Sequence, residues 1–199
     1  MVAIVAVAML AFGSTSFLKA ESQSDLGIGK PAPDFSLQDQ AGNTVKLSDL
    51  KGKIVVLEWF NEQCPFVVKF YKDGHMNKWS EKYQGQGVVW LAVNSSNFAT
   101  NDTNKAIHEK WNIKHAILND ASGEVGKKYQ SKNTPTIYMI DKEGNLAYWG
   151  GVDNKPTSET SDIDSAENYV AKGLDELLAG KPLSTPRTKP YGCTVKYAK

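Results

Sequence analysis

Cysteine is scarce in this chain of 199 residues: there are two, Cys64 and Cys193. Two cysteines exclude a disulfide-dense scaffold and a four-cysteine zinc site. They form no C-x-x-C motif, because Val67 stands where the second cysteine would be. Arginine is scarcer still; Arg187 is the only one, and every other basic residue is lysine. The formal net charge of +1 removes any general pull toward nucleic acid or an anionic membrane. The histidines are His75, His108 and His115. With no second cysteine near Cys64, a soft metal lacks ligands, so neither metal nor cofactor is expected. No glycine-rich phosphate loop, Ser–His–Asp arrangement or carboxylate pair stands out.

The rest of the composition is that of a soluble globular protein, 41% hydrophobic and 23% charged, with enough chain for one domain and a substantial core. The almost wholly apolar run from Met1 to Phe12 is too short for a comfortable membrane span. With the Ser/Thr segment and Ala20 that follow, it reads as a secretory signal covering residues 1–20. The positive charge expected before such a run is missing, so the alternatives are a start further upstream, an uncleaved membrane anchor or a buried N-terminal helix. The expected location is periplasmic or extracellular, where a cysteine pair can oxidise. Residues 21–30 read as a linker, 31–180 as the domain, and 181–199 as an irregular tail carrying Cys193.

Within the domain, alternation around Phe35–Leu37 and Thr44–Leu47, with a turn at Gln40–Asn43, predicts an N-terminal β-hairpin. Apolar runs at 53–60, 87–93, 116–118, 136–140 and 146–149 predict strands. Helical spacing predicts helices over 65–72, 76–83, 102–111, 121–129 and 166–178. Strands alternating with helices, then a hairpin with a closing helix, point to an α/β fold with a mixed central sheet flanked by helices.

The most informative stretch runs from Ile54 to Pro65. A buried strand ends in a turn and delivers Cys64 to the start of a helix. Pro65 suits the first helical position, since its ring presets φ and its missing N–H would have been unpaired there. A thiol at that place faces unpaired N–H groups and the positive end of the helix dipole, which favour the reactive thiolate.

Ala32–Leu37, Asp49–Leu57, Cys64-Pro65 and Thr134–Thr136, in this order and spacing, resemble the thioredoxin fold. Over residues 28–180 the chain is similar to its redoxin branch: the alkyl hydroperoxide reductase/thiol-specific antioxidant family and the exported thiol–disulfide oxidoreductases. The resemblance implies a thiol oxidoreductase with antioxidant or redox-homeostasis work. Cys64 would attack a protein disulfide, a small-molecule disulfide or a hydroperoxide, and an external thiol would restore it. Pro135 would be a cis-proline facing Cys64, with Thr134 pairing its backbone to the substrate chain. Glu58 would be a buried acid beneath the site, its pKa raised by desolvation, able to carry a proton.

The chain also departs from that pattern. Without C-x-x-C, the remaining thiol is Cys193, which would resolve Cys64 within the chain or across a homodimer. Alternatively a Cys64–Cys193 bond is a permanent staple, worth roughly 5 kcal/mol in the chain-entropy model, on a non-enzymatic binding module. For peroxide chemistry, Asn61 stands where the peroxidase relatives carry Thr or Ser, Leu57 where they carry Pro, and no arginine lies near Cys64. Asn61 could supply one hydrogen bond to such a substrate.

Overall fold

A computed structural model describes residues 26–199; the expected signal sequence and the first half of the expected linker lie outside them. Nine strands and five helices follow in chain order: β1 (Ser36–Asp39), β2 (Thr44–Lys46), β3 (Val55–Trp59), α1 (Pro65–Lys72), α2 (His75–Gln84), β4 (Val89–Asn94), α3 (Asn101–Lys110), β5 (Ala116–Asn119), α4 (Glu124–Lys128), β6 (Asn133–Thr134), β7 (Thr136–Ile140), β8 (Leu146–Gly150), α5 (Tyr169–Leu178) and β9 (Cys193–Thr194). Seven strands form one mixed sheet in the order β2-β1-β5-β4-β3-β7-β8, with β3, β4 and β5 parallel and the other pairs antiparallel. The expected hairpin β1–β2 is present and extends this sheet through β1–β5.

Every residue of β3 is buried, as expected for a central strand covered on both faces. Alternation sends Val56 toward one core, with Val67 and Phe70 of α1, Met76 of α2 and Leu174 of α5. Val55, Leu57 and Trp59 point the other way, to Phe35, Val125 and Tyr129. Glu58 shares the face of Val56 and is therefore driven beneath α1.

Two boundaries differ from expectation. Leu26 is buried, and Gly29 and Lys30 exchange backbone hydrogen bonds with Leu146, so residues 26–30 belong to the domain rather than to a linker. The tail is not loose: residues 186–197 are held along the molecule by hydrogen bonds from both backbone and side chains. Helix α4 is shorter than the 121–129 pattern, because Gly123 takes a left-handed conformation before it. Asp120 still serves its start, accepting from the N–H groups of Val125 and Gly126.

Candidate active site

The turn between β3 and α1 is fixed by local chemistry. The carboxamide oxygen of Asn61 accepts from Gln63 N (2.8 Å), and its carbonyl accepts from Cys64 N (3.0 Å). Cys64 is the N-cap of α1, in extended conformation, and Pro65 opens the helix. Across from it lies the Thr134–Pro135 peptide, which is cis. As a thiol, Cys64 donates to the Thr134 carbonyl over 3.1 Å.

The partner that closes the site comes from the other end of the chain. β9 pairs antiparallel with β6, setting Cys193 opposite Thr134 and Thr194 opposite Asn133. The two cysteines are separate thiols, close enough for each to shift the ionisation of the other. Burial of the Cys64 sulfur works against its ionisation. Hydrogen bonds from the Cys193 thiol, the Thr134 side chain and the N–H groups of Cys193 and Val67 outweigh it and hold the thiol below the ordinary cysteine value. The Thr134 hydroxyl is buried and makes no hydrogen bond while Cys64 is a thiol, which leaves it available to donate once the sulfur ionises. Cys193 moves the opposite way, to about 11, through burial, its hydrogen bond to Cys64 and the charge there.

Although Cys64 stands at a helix tip, it is only 1% exposed. Cys193, on the strand paired with Thr134, is the partly exposed cysteine of the two. The backbone of Thr134, expected to await a substrate chain, is already paired with Cys193.

Glu58 is fully buried. Desolvation lifts its pKa to about 7, although hydrogen bonds from Tyr71 and Trp90 oppose the rise. Tyr71 Oη donates to Glu58 Oε2 over 2.9 Å and lies 3.1 Å from His115 Nε2. Burial, then the nearby His108, depresses the His115 pKa to about 3. His115 is therefore neutral near neutrality, and its 3.9 Å approach to Glu58 is no ion pair. Glu58 Oε1 and His115 Nδ1 have no partner. Glu58 is tied to α1 through the hydrogen bond from Tyr71.

The sequence reading missed Tyr71 and His115, which neither motif nor spacing marks. It also missed the residues that seat the tail. Lys69 of α1 pairs with buried Asp153 (3.4 Å), and Tyr191 donates to the same carboxylate. Arg187 lies over the Trp149 ring, 4.4 Å from its centroid, so the only arginine is committed elsewhere. Among the described residues no group of three metal-ligating side chains occurs.

The chain is similar to known proteins in sequence and in fold. Thiol-disulfide oxidoreductase ResA of Bacillus thuringiensis subsp. konkukian is 31% identical over 124 residues, 62% of this chain and 69% of the relative. ResA of Geobacillus kaustophilus is 30% identical over 145 residues, 72% of this chain and 81% of the relative. The crystal structure of an uncharacterized conserved protein from Geobacillus kaustophilus superposes with a TM-score of 0.74 at 25% identity, covering 88% of this chain and 94% of the other. Residues 28–149, which hold Cys64, Thr134 and Pro135, match the model of the AhpC/TSA family, and the chain belongs to that family.

Proposed function

We propose that the protein is an exported thiol–disulfide oxidoreductase whose redox couple is Cys64 and Cys193. The observation that carries this is the β6–β9 pairing, which sets the second sulfur against the first. Both lie in one chain, so the cycle needs no second copy. A substrate disulfide takes one of the two thiols into a mixed disulfide and loses its first thiolate. The other cysteine then attacks that bond, forms Cys64–Cys193 and expels the second thiolate. Two electrons pass to the substrate, and the Cys193 proton leaves with a product thiol.

Return to the dithiol needs an external thiol. Its thiolate attacks Cys193, the partly exposed cysteine, and Cys64 departs; the lower the Cys64 pKa, the better the leaving group. A second external thiol then frees Cys193. Thr134 steadies Cys64 in both states, its carbonyl accepting from the thiol and its hydroxyl donating to the thiolate. Glu58, with a pKa near 7, carries a proton beneath the site.

A hydroperoxide substrate draws no support from this geometry. Arg187 is stacked on Trp149, so the guanidinium that would stabilise the charge developing on the departing oxygen is not offered to Cys64. Export rests on residues 1–20. No helix among the described residues is long and apolar enough to cross a membrane.

The test is thiolate absorbance against pH in the wild type, Cys64→Ser and Cys193→Ser, followed by challenge with bis(2-hydroxyethyl) disulfide and with hydrogen peroxide. The expected result is an acidic Cys64, less acidic in Cys193→Ser, and a Cys64–Cys193 bond seen by mass spectrometry after the disulfide challenge. An ordinary Cys64 titration, or a product lacking that bond, would refute the proposal.

A further inference from the structure

The strand that pairs with Thr134 is part of the chain itself, and it is fastened on both sides of Cys193. Upstream, Tyr191 donates to Asp153, whose buried carboxylate also holds Lys69 of α1. The Tyr191 ring packs edge-on against Phe66, the second residue of α1. Thr188 bonds Tyr148 and accepts from Gly151 N. Downstream, Val195 N donates to Lys132 O, Asn97 N donates to Lys196 O, and Tyr197 Oη donates to Ser131 O. Between these ties, Gly192 lies directly on the Thr134 carbonyl. A Cβ there would stand 2.0 Å from that oxygen, and Gly192 has φ of +126°. Only glycine permits so close an approach in that conformation.

A polypeptide substrate that binds as an added strand needs a free edge. Here both residues of β6 are paired with β9, and Cys64 lies beneath. What remains open is Cys193, which is partly exposed. Resting on the redox-pair reading above, we infer that residues 191–197, with β9 at their centre, are a built-in strap filling the polypeptide groove, so that the protein exchanges with low-molecular-weight disulfides and thiols at Cys193 and excludes extended polypeptide disulfides. In chemical terms, R–S–S–R plus the dithiol gives the Cys64–Cys193 bond plus two R–SH, and two small thiols reverse it.

The experiment compares bis(2-hydroxyethyl) disulfide with insulin as oxidants of the full chain, in the wild type, Gly192→Ala and Tyr197→Ala. Amide hydrogen exchange at 193–195 reports whether the strap has lifted. A polypeptide can enter only when the strap is open, so its rate scales with the open fraction. Loss of one tie raises that fraction about tenfold. The expected result is that the wild type reacts with the small disulfide, while insulin reacts about tenfold faster with a variant whose strap exchanges rapidly. Tyr197→Ala alters no residue near the sulfurs, so the test stands even if Gly192→Ala fails to fold. Wild-type reaction with insulin as fast as that of an opened variant overturns the inference, as does an opened strap with no gain. Failure of the small disulfide to produce Cys64–Cys193 in the wild type instead overturns the redox pair itself.

Discussion

The head of α1 and the C-terminal strap each contribute one cysteine, and they hold it in opposite ways. At the head, Cys64 is fixed by its neighbours in sequence: Asn61 shapes the turn, Pro65 opens the helix, and Val67 N–H points back. In the strap, Cys193 has no such local frame; it is held by Lys69, Asp153, Ser131 and Lys132, all far away in sequence. The outcome for the two thiols is opposite as well. Cys64 is shifted down, and Cys193 is pushed up to about 11. A proton shared by such a pair rests on Cys193 and leaves the charge on Cys64. The strap is thus part of the thiolate's own environment, because its S–H and N–H both point at Cys64.

The strongest way to break this arrangement is Lys69→Met. It leaves Asp153, 1% exposed at its side chain, as an uncompensated buried charge, at a cost of about 3–5 kcal/mol. Urea midpoints would show the loss, and thiolate absorbance would show Cys64 losing acidity as Tyr191 and the strap loosen. A variant of wild-type stability would mean that the two regions are not tied through Asp153.

A second change sharpens the α1 side alone. Glu58 has a folded pKa of about 7, above its ordinary value of 4.5, so its contribution is fully present below pH 4.5 and is lost as pH rises toward 7. His115, depressed to about 3 from 6.5, contributes in the opposite sense: present above 6.5 and lost as pH falls. Between pH 4.5 and 6.5 the two slopes oppose each other, so these groups leave wild-type stability nearly level. Glu58→Gln removes one slope, and stability should then rise with pH by up to about 1.4 kcal/mol per unit. Denaturation series at four or five pH values would show this; a level profile in the variant would contradict the assigned shifts.

The smallest effect is expected on the strap side. Arg187→Ala removes a cation–π contact with Trp149, worth about 0.5–1 kcal/mol. Thermal melting should shift by a few degrees, while Cys64–Cys193 bond formation with a small disulfide keeps its rate. A collapse of that rate would place Arg187 in the chemistry rather than in the anchoring.

Much of the sheet was legible because its strands announce themselves. The run 136–140 is apolar and β-branched, and it forms β7 over those same residues. Helix boundaries were less legible where a single glycine decided them, as at Gly123. The Cys64-Pro65 junction was readable because helix starts obey local rules. Tyr71 and His115 were not, since their importance comes from lying against Glu58 across the packed face of the sheet.

By itself the sequence determined a strand that hands a cysteine to a helix, a Thr134–Pro135 step before another strand, and two thiols with no local partner. Those are short-range facts, set by backbone sterics and by which N–H groups a helix start leaves unpaired. Only the tertiary structure decided that the tail lies along β6, that Cys193 rests on Cys64, and that the more acidic thiol is the buried one. The reason is physical. Pairing two residues with a strand some sixty positions away leaves no periodic trace in either segment, and a thiol's acidity depends on donors that the fold brings from elsewhere.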